Sequence, residues 1–380
     1  MDLRKAFLGQ LRRYRNGSIS RRHFLGATGL AGATAALAAA MPELTASRRA
    51  YAGKLGDRVS LATWPNYHNP RNFDRFAAAT GVRVEAVVFG SNAEMRAKLS
   101  AGATGWDVVV PTDYAIETYV AEGLIEPLDL GLIPAWQPQF FTDPRFARPG
   151  IVNGRTYAVH KDWGTIGYCV NGAKVDGPAA SWKDFWDLAR MSCSGYTTVS
   201  DDQLTGVGNA LRYFGHSFNA TDEAALRQAE ALLLEVKPHL LGIVPDVQPA
   251  LRNGSAWLAM AWAGDAAQLH HDMPAIRYVL ARDGGEIWSD YFAIPRGAPH
   301  RAAAHALIDF LLTPENNRHE VLAHGYPVAD KRVLDLLPTA MLADPIMFPA
   351  AELLRPLEFA AATALTNPQR AEIMARFKAA

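Results

Sequence analysis

From Val59 to Glu122 the chain switches repeatedly between a two-residue and a helical periodicity, and this alternation restricts the fold more than any other feature. Val59-Ser60-Leu61-Ala62-Thr63-Trp64 reads as a strand that runs into Pro65-Asn66-Tyr67. A helix over 73–80 follows, with Gly81 as its stop, then the strand 82–88. A helix over 92–101, the buried strand Trp106-Asp107-Val108-Val109-Val110-Pro111 and a helix over 114–122 complete the series. Strand, helix, strand, helix predicts an α/β fold with a mostly parallel sheet covered by helices on both faces. In such sheets ligands sit beyond the carboxyl ends of the strands, where Trp64, Tyr67 and the run Thr112-Asp113-Tyr114 fall. A second βα region over 167–284 holds the strand Thr197-Ser200, then Asp201-Asp202 directly after it, and helices over 206–214 and 222–235. The Gly-punctuated stretch Trp163-Asn171 reads as an extended crossover between two lobes, and such a crossover makes a hinge.

The chain has 380 residues. Its start predicts export. Ser20-Arg21-Arg22-His23-Phe24-Leu25 follows a basic stretch and precedes a weakly apolar Gly/Ala/Leu run, the layout of a bacterial twin-arginine signal with cleavage near 40 or 52. Residues 1–52 are therefore assigned to the signal peptide and a short linker. The remaining length suits two lobes, assigned as 53–166 plus 289–334 and 167–288 plus 335–380. Thirty-eight basic and thirty-eight acidic residues balance, with no basic run after Arg49, so nucleic acid is excluded as a partner. Cys169 and Cys193 leave a disulfide undecided. His270, His271, His300, His305, His319 and His324 lack ligand spacing and read as solvated, so neither a metal nor a cofactor is expected.

Two stretches set an aromatic ring beside a carboxylate: Trp262-Ala263-Gly264-Asp265 and Trp288-Ser289-Asp290. If 287–294 is a strand, Trp288 and Asp290 share a face. A ring face attracts a cation and a carboxylate accepts charge-assisted bonds from ammonium, so the pairs suit an organic cation. Core tryptophans and an Asp265 helix cap are the competing reading.

Taken together with Trp64-Pro65-Asn66-Tyr67, Trp163-Gly164-Thr165-Ile166-Gly167, Ser181-Trp182-Lys183-Asp184-Phe185-Trp186, Ser200-Asp201-Asp202 and Gly325-Tyr326-Pro327, in order and spacing, the chain resembles the periplasmic spermidine/putrescine-binding proteins of bacterial ABC importers. That resemblance implies a two-lobed, type II periplasmic binding protein fold with the ligand between hinged lobes. It implies a monomeric carrier rather than an enzyme, delivering a small-molecule polyamine to an inner-membrane ABC permease. By position, it implies that Trp64, Tyr67, Tyr114, Trp262, Trp288 and Tyr326 form aromatic walls. Asp202, Asp265 and Asp290 would hold the ammonium ends, with Thr112 as a nearby hydroxyl. Asp113 is read as a cap of the helix that follows it, and Trp163, Trp182 and Trp186 as core.

Two departures bear on ligand length. Thr205 stands where spermidine-preferring relatives carry an acid, and Ala360 near where some carry a glutamine. Asp265 agrees with the putrescine-preferring pattern. These favour a diamine, with another small organic amine as the alternative. An exported hydrolase-type enzyme is the rival class, but the chain shows no Gly-x-Ser-x-Gly and no ligand cluster.

Overall fold

A computed structural model of the chain describes residues 55–102 and 105–380. The twin-arginine stretch and its cleavage sites lie outside the described residues. The first alternation is observed as β1 (Arg58–Thr63), α1 (Pro70–Thr80), β2 (Arg83–Val88), α2 (Asn92–Ser100), β3 (Val108–Val109) and α3 (Asp113–Ala121). Helix α1 starts earlier than the periodicity suggests, because the Asn69 side chain accepts from the Arg71 amide and Pro70 fits the first turn. It stops at Gly81, whose φ of 82° is left-handed. Strand β3 is shorter than expected: Pro111 has no amide hydrogen to donate, and the Asp107 carboxylate instead accepts from the amides of Ser60 (2.8 Å) and His300 (2.6 Å).

Short strands β4 (Ile125–Glu126), β5 (Ile151–Val152) and β6 (Arg155–Thr156) lead into β7 (Ala158–Asn171). The second region comprises α4 (Trp182–Arg190), β8 (Thr197–Ser200), α5 (Gln203–Tyr213), α6 (Glu223–Val236), β9 (Leu240–Val244), α7 (Gln248–Arg252), β10 (Leu258–Trp262), α8 (Ala263–Asp272) and β11 (Ile276–Val279). Strand β12 (Gly285–Pro295), α9 (Arg301–Leu312) and α10 (Pro314–His324) follow, and Pro368–Ala379 forms the C-terminal helix.

The strands run in the order β2-β1-β3-β12-β7-β10-β8-β9. Strand β1 is parallel to β2 and β3, and β8 is parallel to β9 and β10. Between these parallel halves lie β7 and β12, antiparallel to each other. The crossover is thus two paired strands, and β7 starts five residues before the expected Trp163. Its opening residues hide it, because Ala-Val-His-Lys-Asp lacks the apolar run of a strand buried on both faces.

Each half has its own core. Val59, Phe76, Val108, Phe292, Leu307 and Leu311 pack in the first, and Tyr168, Phe185, Leu226, Leu233, Met260 and Phe377 in the second. Trp182 and Trp186 are fully buried in the second core, as expected, and donate to the carbonyls of Gly284 (2.9 Å) and Asn209 (3.1 Å). Trp163 is also buried, against Phe146 and Ile287. Cys169 and Cys193 are free thiols, buried in different clusters.

Two expectations, on the histidines and on Asp113, need correction, and the competing reading of Asp265 falls. His305 and the His324 side chain are buried rather than solvated; His305 accepts from the Asp129 amide at 3.0 Å. Asp265 is not the cap of its helix: Trp262 takes the N-cap position and Asp265 sits in the first turn. Asp113 is not a cap either. It is the first residue of α3, and its buried carboxylate accepts from the Ser289 amide at 2.7 Å, tying α3 to β12.

Candidate ligand-binding site

The site grows from the pairing of β7 with β12. Asp162 lies opposite Asp290, and the register then shifts so that Tyr291 faces His160. Lys161 is the extra residue of this bulge, and a bulge re-aims side chains that strict alternation would separate. The Lys161 ammonium consequently reaches Asp162 at 2.5 Å and lies 3.5 Å from the centre of the Tyr67 ring. The Tyr67 hydroxyl donates to the same carboxylate, and His324 Nε2 stands 3.4 Å away. Burial and the neighbouring Lys161 charge hold His324 well below its usual pKa, so it is neutral. Burial raises the Asp162 carboxyl, while Lys161 and Tyr67 oppose that rise. His160 supports the crossing from behind: its Nε2 accepts from the Ala329 amide, so Nδ1 carries the proton toward Ser289 Oγ at 2.8 Å.

Asp290 has no ion pair of its own with any described residue. It is 4% exposed, and its Oδ1 has no hydrogen-bond partner among the described residues. Burial and the adjacent Asp162 charge push it up to about 7, opposed by the Thr112 hydroxyl, the Lys161 charge and the Tyr67 hydroxyl. A buried carboxyl without an ion pair is costly in its charged form, and an incoming ammonium lowers that cost.

Rings stand around it. Tyr326 packs edge-on to Tyr67 (5.4 Å between centres) and to Trp288 (5.2 Å). Trp64 is anchored by donation to the Val110 carbonyl at 3.1 Å. Two glycines of the sequence motifs make room for these rings. A methyl group at Gly164 would lie 2.4 Å from Trp288 Cζ2, and one at Gly264 would lie 2.3 Å from the Tyr326 hydroxyl. Burial and the carboxylates of Asp265, Asp162 and Asp290 raise the Tyr326 hydroxyl, which places all three within electrostatic reach of it. Asp265 itself is half-buried, raised by burial, and accepts from Gln248 Nε2 at 2.7 Å. Trp262 is 46% exposed and lies at the edge of this group rather than within it.

At the other end of the same strand face are Tyr114, Asp202 and a carboxyl that the sequence reading missed, Glu286. Asn92 Nδ2 donates to both Thr112 Oγ1 (3.0 Å) and the Tyr114 hydroxyl (2.9 Å), fixing two expected residues together. Asp202 is exposed and caps α5 by accepting from the Thr205 amide at 3.0 Å. Burial raises the Tyr114 hydroxyl, and Asp202 and Glu286 add to the effect. Lys161, Asp162, Asn92 and Glu286 were not anticipated. For Glu286 a signal existed, since period two places it on the face of Trp288 and Asp290.

Two α/β halves joined by a crossed strand pair, with aromatic rings and unpaired carboxyls at the join, define a two-lobed binding protein rather than a single-domain scaffold. A family model for the bacterial extracellular solute-binding protein matches residues 72–349, and the chain belongs to that family. It is 29% identical to the putrescine/agmatine-binding protein of Pseudomonas aeruginosa over 324 residues, covering 81% of this chain and 87% of that one. It is 29% identical to the spermidine/putrescine-binding periplasmic protein of Escherichia coli over 296 residues, covering 77% and 83%. Among solved structures, the spermidine/putrescine ABC transporter substrate-binding protein of Streptococcus pneumoniae superposes with a TM-score of 0.76 at 24% identity, over 85% of this chain and 99% of that one. The Tp0655 lipoprotein of Treponema pallidum gives a TM-score of 0.74 at 25% identity, over 85% and 100%. The fold is the type II periplasmic binding protein fold.

The state of Asp290 has a measurable consequence. Its folded pKa lies above the ordinary carboxylate value near 3.9, so the folded protein prefers the protonated form. The penalty is absent below the unfolded value, grows as pH rises through about 7, and is full above it. Asp290→Asn is expected to melt ~2 °C or more above the parent at pH 8 and to match it at pH 4. A variant less stable than the parent at pH 8 would make Asp290 a structural residue.

Proposed function

We propose that the protein captures a polyamine between its two lobes and presents it to an inner-membrane ABC permease, without altering it. The observation that carries this reading is Asp290: a buried carboxyl with an unpartnered oxygen, beside the rings of Trp288 and Tyr326. Tyr67 completes the wall, Tyr114 and Thr112 line the continuation toward Asp202, and Asp265 guards the Tyr326 side. Trp64 braces the wall through Phe89, 4.6 Å away between ring centres. The names of the relatives, which include spermidine, putrescine and agmatine, support an extended amine as the ligand. No group of three or more His, Cys, Asp or Glu among the described residues forms a metal site, and the reading requires none.

The lobes are taken to be 53–166 plus 289–334 and 167–288 plus 335–380, bending at 166–172 of β7 and 286–290 of β12. Closure of such strands around a ligand changes the surface offered to a membrane partner. Calorimetry is expected to show saturable one-to-one binding of putrescine or spermidine, while scattering reports a monomer whose radius of gyration falls on binding. Binding of an organic anion with no response to any di- or triamine would overturn the proposal.

Export by the twin-arginine route to the periplasm is the matching localisation, supported by Arg21-Arg22 and by the periplasmic names of the relatives. Replacing both arginines with lysine is expected to hold the precursor inside the cell. Unchanged export in a strain lacking the twin-arginine translocase would refute that route.

A further inference from the structure

Thr205 is where a diamine preference was expected to originate, because a hydroxyl cannot neutralise an ammonium group. The structure places a carboxyl beside it. Thr205 is buried, and its hydroxyl donates to Glu286 Oε2 at 3.0 Å. Glu286 is 4% exposed and has no ion pair with any described residue. Arg370 attracts it from the C-terminal helix without forming an ion pair: its guanidinium donates to the carbonyls of Phe218 (3.0 Å), Ala220 (3.2 Å) and Leu204 (3.2 Å), and its Nε has no hydrogen-bond partner among the described residues.

Glu286 also lies on the ligand face. Positions 286, 288 and 290 of β12 alternate with 287 and 289, and the register from Ile287 to Asp290 is unshifted. Trp288 and Asp290 therefore fix the direction in which Glu286 faces. Tyr114 and Asp113 lie closely enough for their ionisation to feel its charge, and the Asp202 charge acts on Glu286 in turn.

We infer that Glu286 binds an ammonium group at the Tyr114 end of the cleft, supplied from β12 in place of the acid that Thr205 lacks, and thereby lets the site hold a triamine. This rests on the polyamine reading above.

Spacing sets the scale of the site. Four residues of extended strand separate Glu286 from Asp290, about 13 Å at ~3.3 Å per residue. An extended aliphatic chain advances roughly 1.25 Å per bond, so the end nitrogens of spermidine lie about 11 Å apart and those of putrescine about 6 Å. With a hydrogen-bond length of ~2.9 Å at each end, putrescine reaches about 12 Å and a fully extended spermidine about 17 Å, so the strand spacing admits either amine, and the third ammonium of spermidine is the charge that a further carboxyl neutralises. Burial and the Asp202 charge push Glu286 up to about 8, so its charged form is disfavoured until a cation arrives. Glu286 faces groups of the same sign on two sides, Asp202 and Asp113, and Thr205 is its single hydrogen-bond donor among the described residues.

The test compares putrescine and spermidine on the parent protein, Glu286→Gln and Thr205→Val by calorimetry at pH 8. Glu286→Gln keeps the shape and the Thr205 contact, and is expected to weaken spermidine at least tenfold while changing putrescine less than threefold. Thr205→Val removes the hydroxyl but leaves the carboxyl, and is expected to retain spermidine binding within threefold. Unchanged spermidine binding in Glu286→Gln overturns the inference, as does an equal loss for both amines, which would mark Glu286 as structural. A parent protein that binds neither amine refutes the polyamine reading itself, before the variants are compared.

Discussion

The pairing of Asp162 with Asp290 across β7 and β12 is the constraint on which the remainder of the site depends. Two carboxyls at a buried antiparallel step repel, and the structure resolves the repulsion unequally. The bulge brings Lys161 onto Asp162, and Tyr67 donates to the same group, so one member of the pair is satisfied internally. The other keeps an unpartnered oxygen, its charge offset only in part by Thr112, Lys161 and Tyr67. A resident ammonium over the Tyr67 ring also shows the chemistry that the neighbouring subsite offers: a ring face and a carboxylate around one cation. The same two strands link the halves of the molecule, so the charge on Asp290 and any bending between lobes involve one piece of backbone.

Much of this was legible beforehand. The parallel halves follow from periodicity, and Gly81 ends α1 as a left-handed residue must. Trp288 and Asp290 share a face because β12 is a regular strand there. Position in the strand order also located Tyr67, Thr112 and Tyr114, since the ends of β1 and β3 meet beside β12. What escaped the reading has physical causes. Strand β7 carries His160, Lys161 and Asp162 in its interior, and charged residues inside a fully buried strand look like a loop until their partners are known. A bulge cannot be read from one strand alone, because it is a property of the pair. Asp265 and Asp113 have the sequence context of helix caps, yet their carboxylates bond to Gln248 and to the Ser289 amide. Histidines 305 and 324 gave no sign of burial because each is bonded or stacked through tertiary contacts.

Glycine in the motifs has a steric rather than a conformational meaning here. Gly164 and Gly264 lie directly against Trp288 and Tyr326, so each aromatic wall is set by the absence of a side chain on the facing element. The Thr205–Glu286 contact shows a related economy at the far end, where a hydroxyl on α5 and an acid on β12 share a position that one acidic side chain could fill. Thr205 judged alone leaves that end of the strand face without an acid, whereas the structure sets the Glu286 carboxyl against it. The relevant unit is the spatial cluster of Tyr114, Asp202, Thr205 and Glu286.

The central claim is that the cleft holds carboxyls kept partly protonated by burial until a cation displaces the proton. Asp290 near 7 and Glu286 near 8 make this measurable at neutral pH. Calorimetric titration with spermidine at pH 7.0, repeated in two buffers of different ionisation enthalpy, reads the proton exchange directly. The account predicts a net release of about one proton or more for each ligand bound, because ammonium binding favours the charged carboxylates. Heats that do not depend on the buffer, or a net uptake of protons, would contradict it.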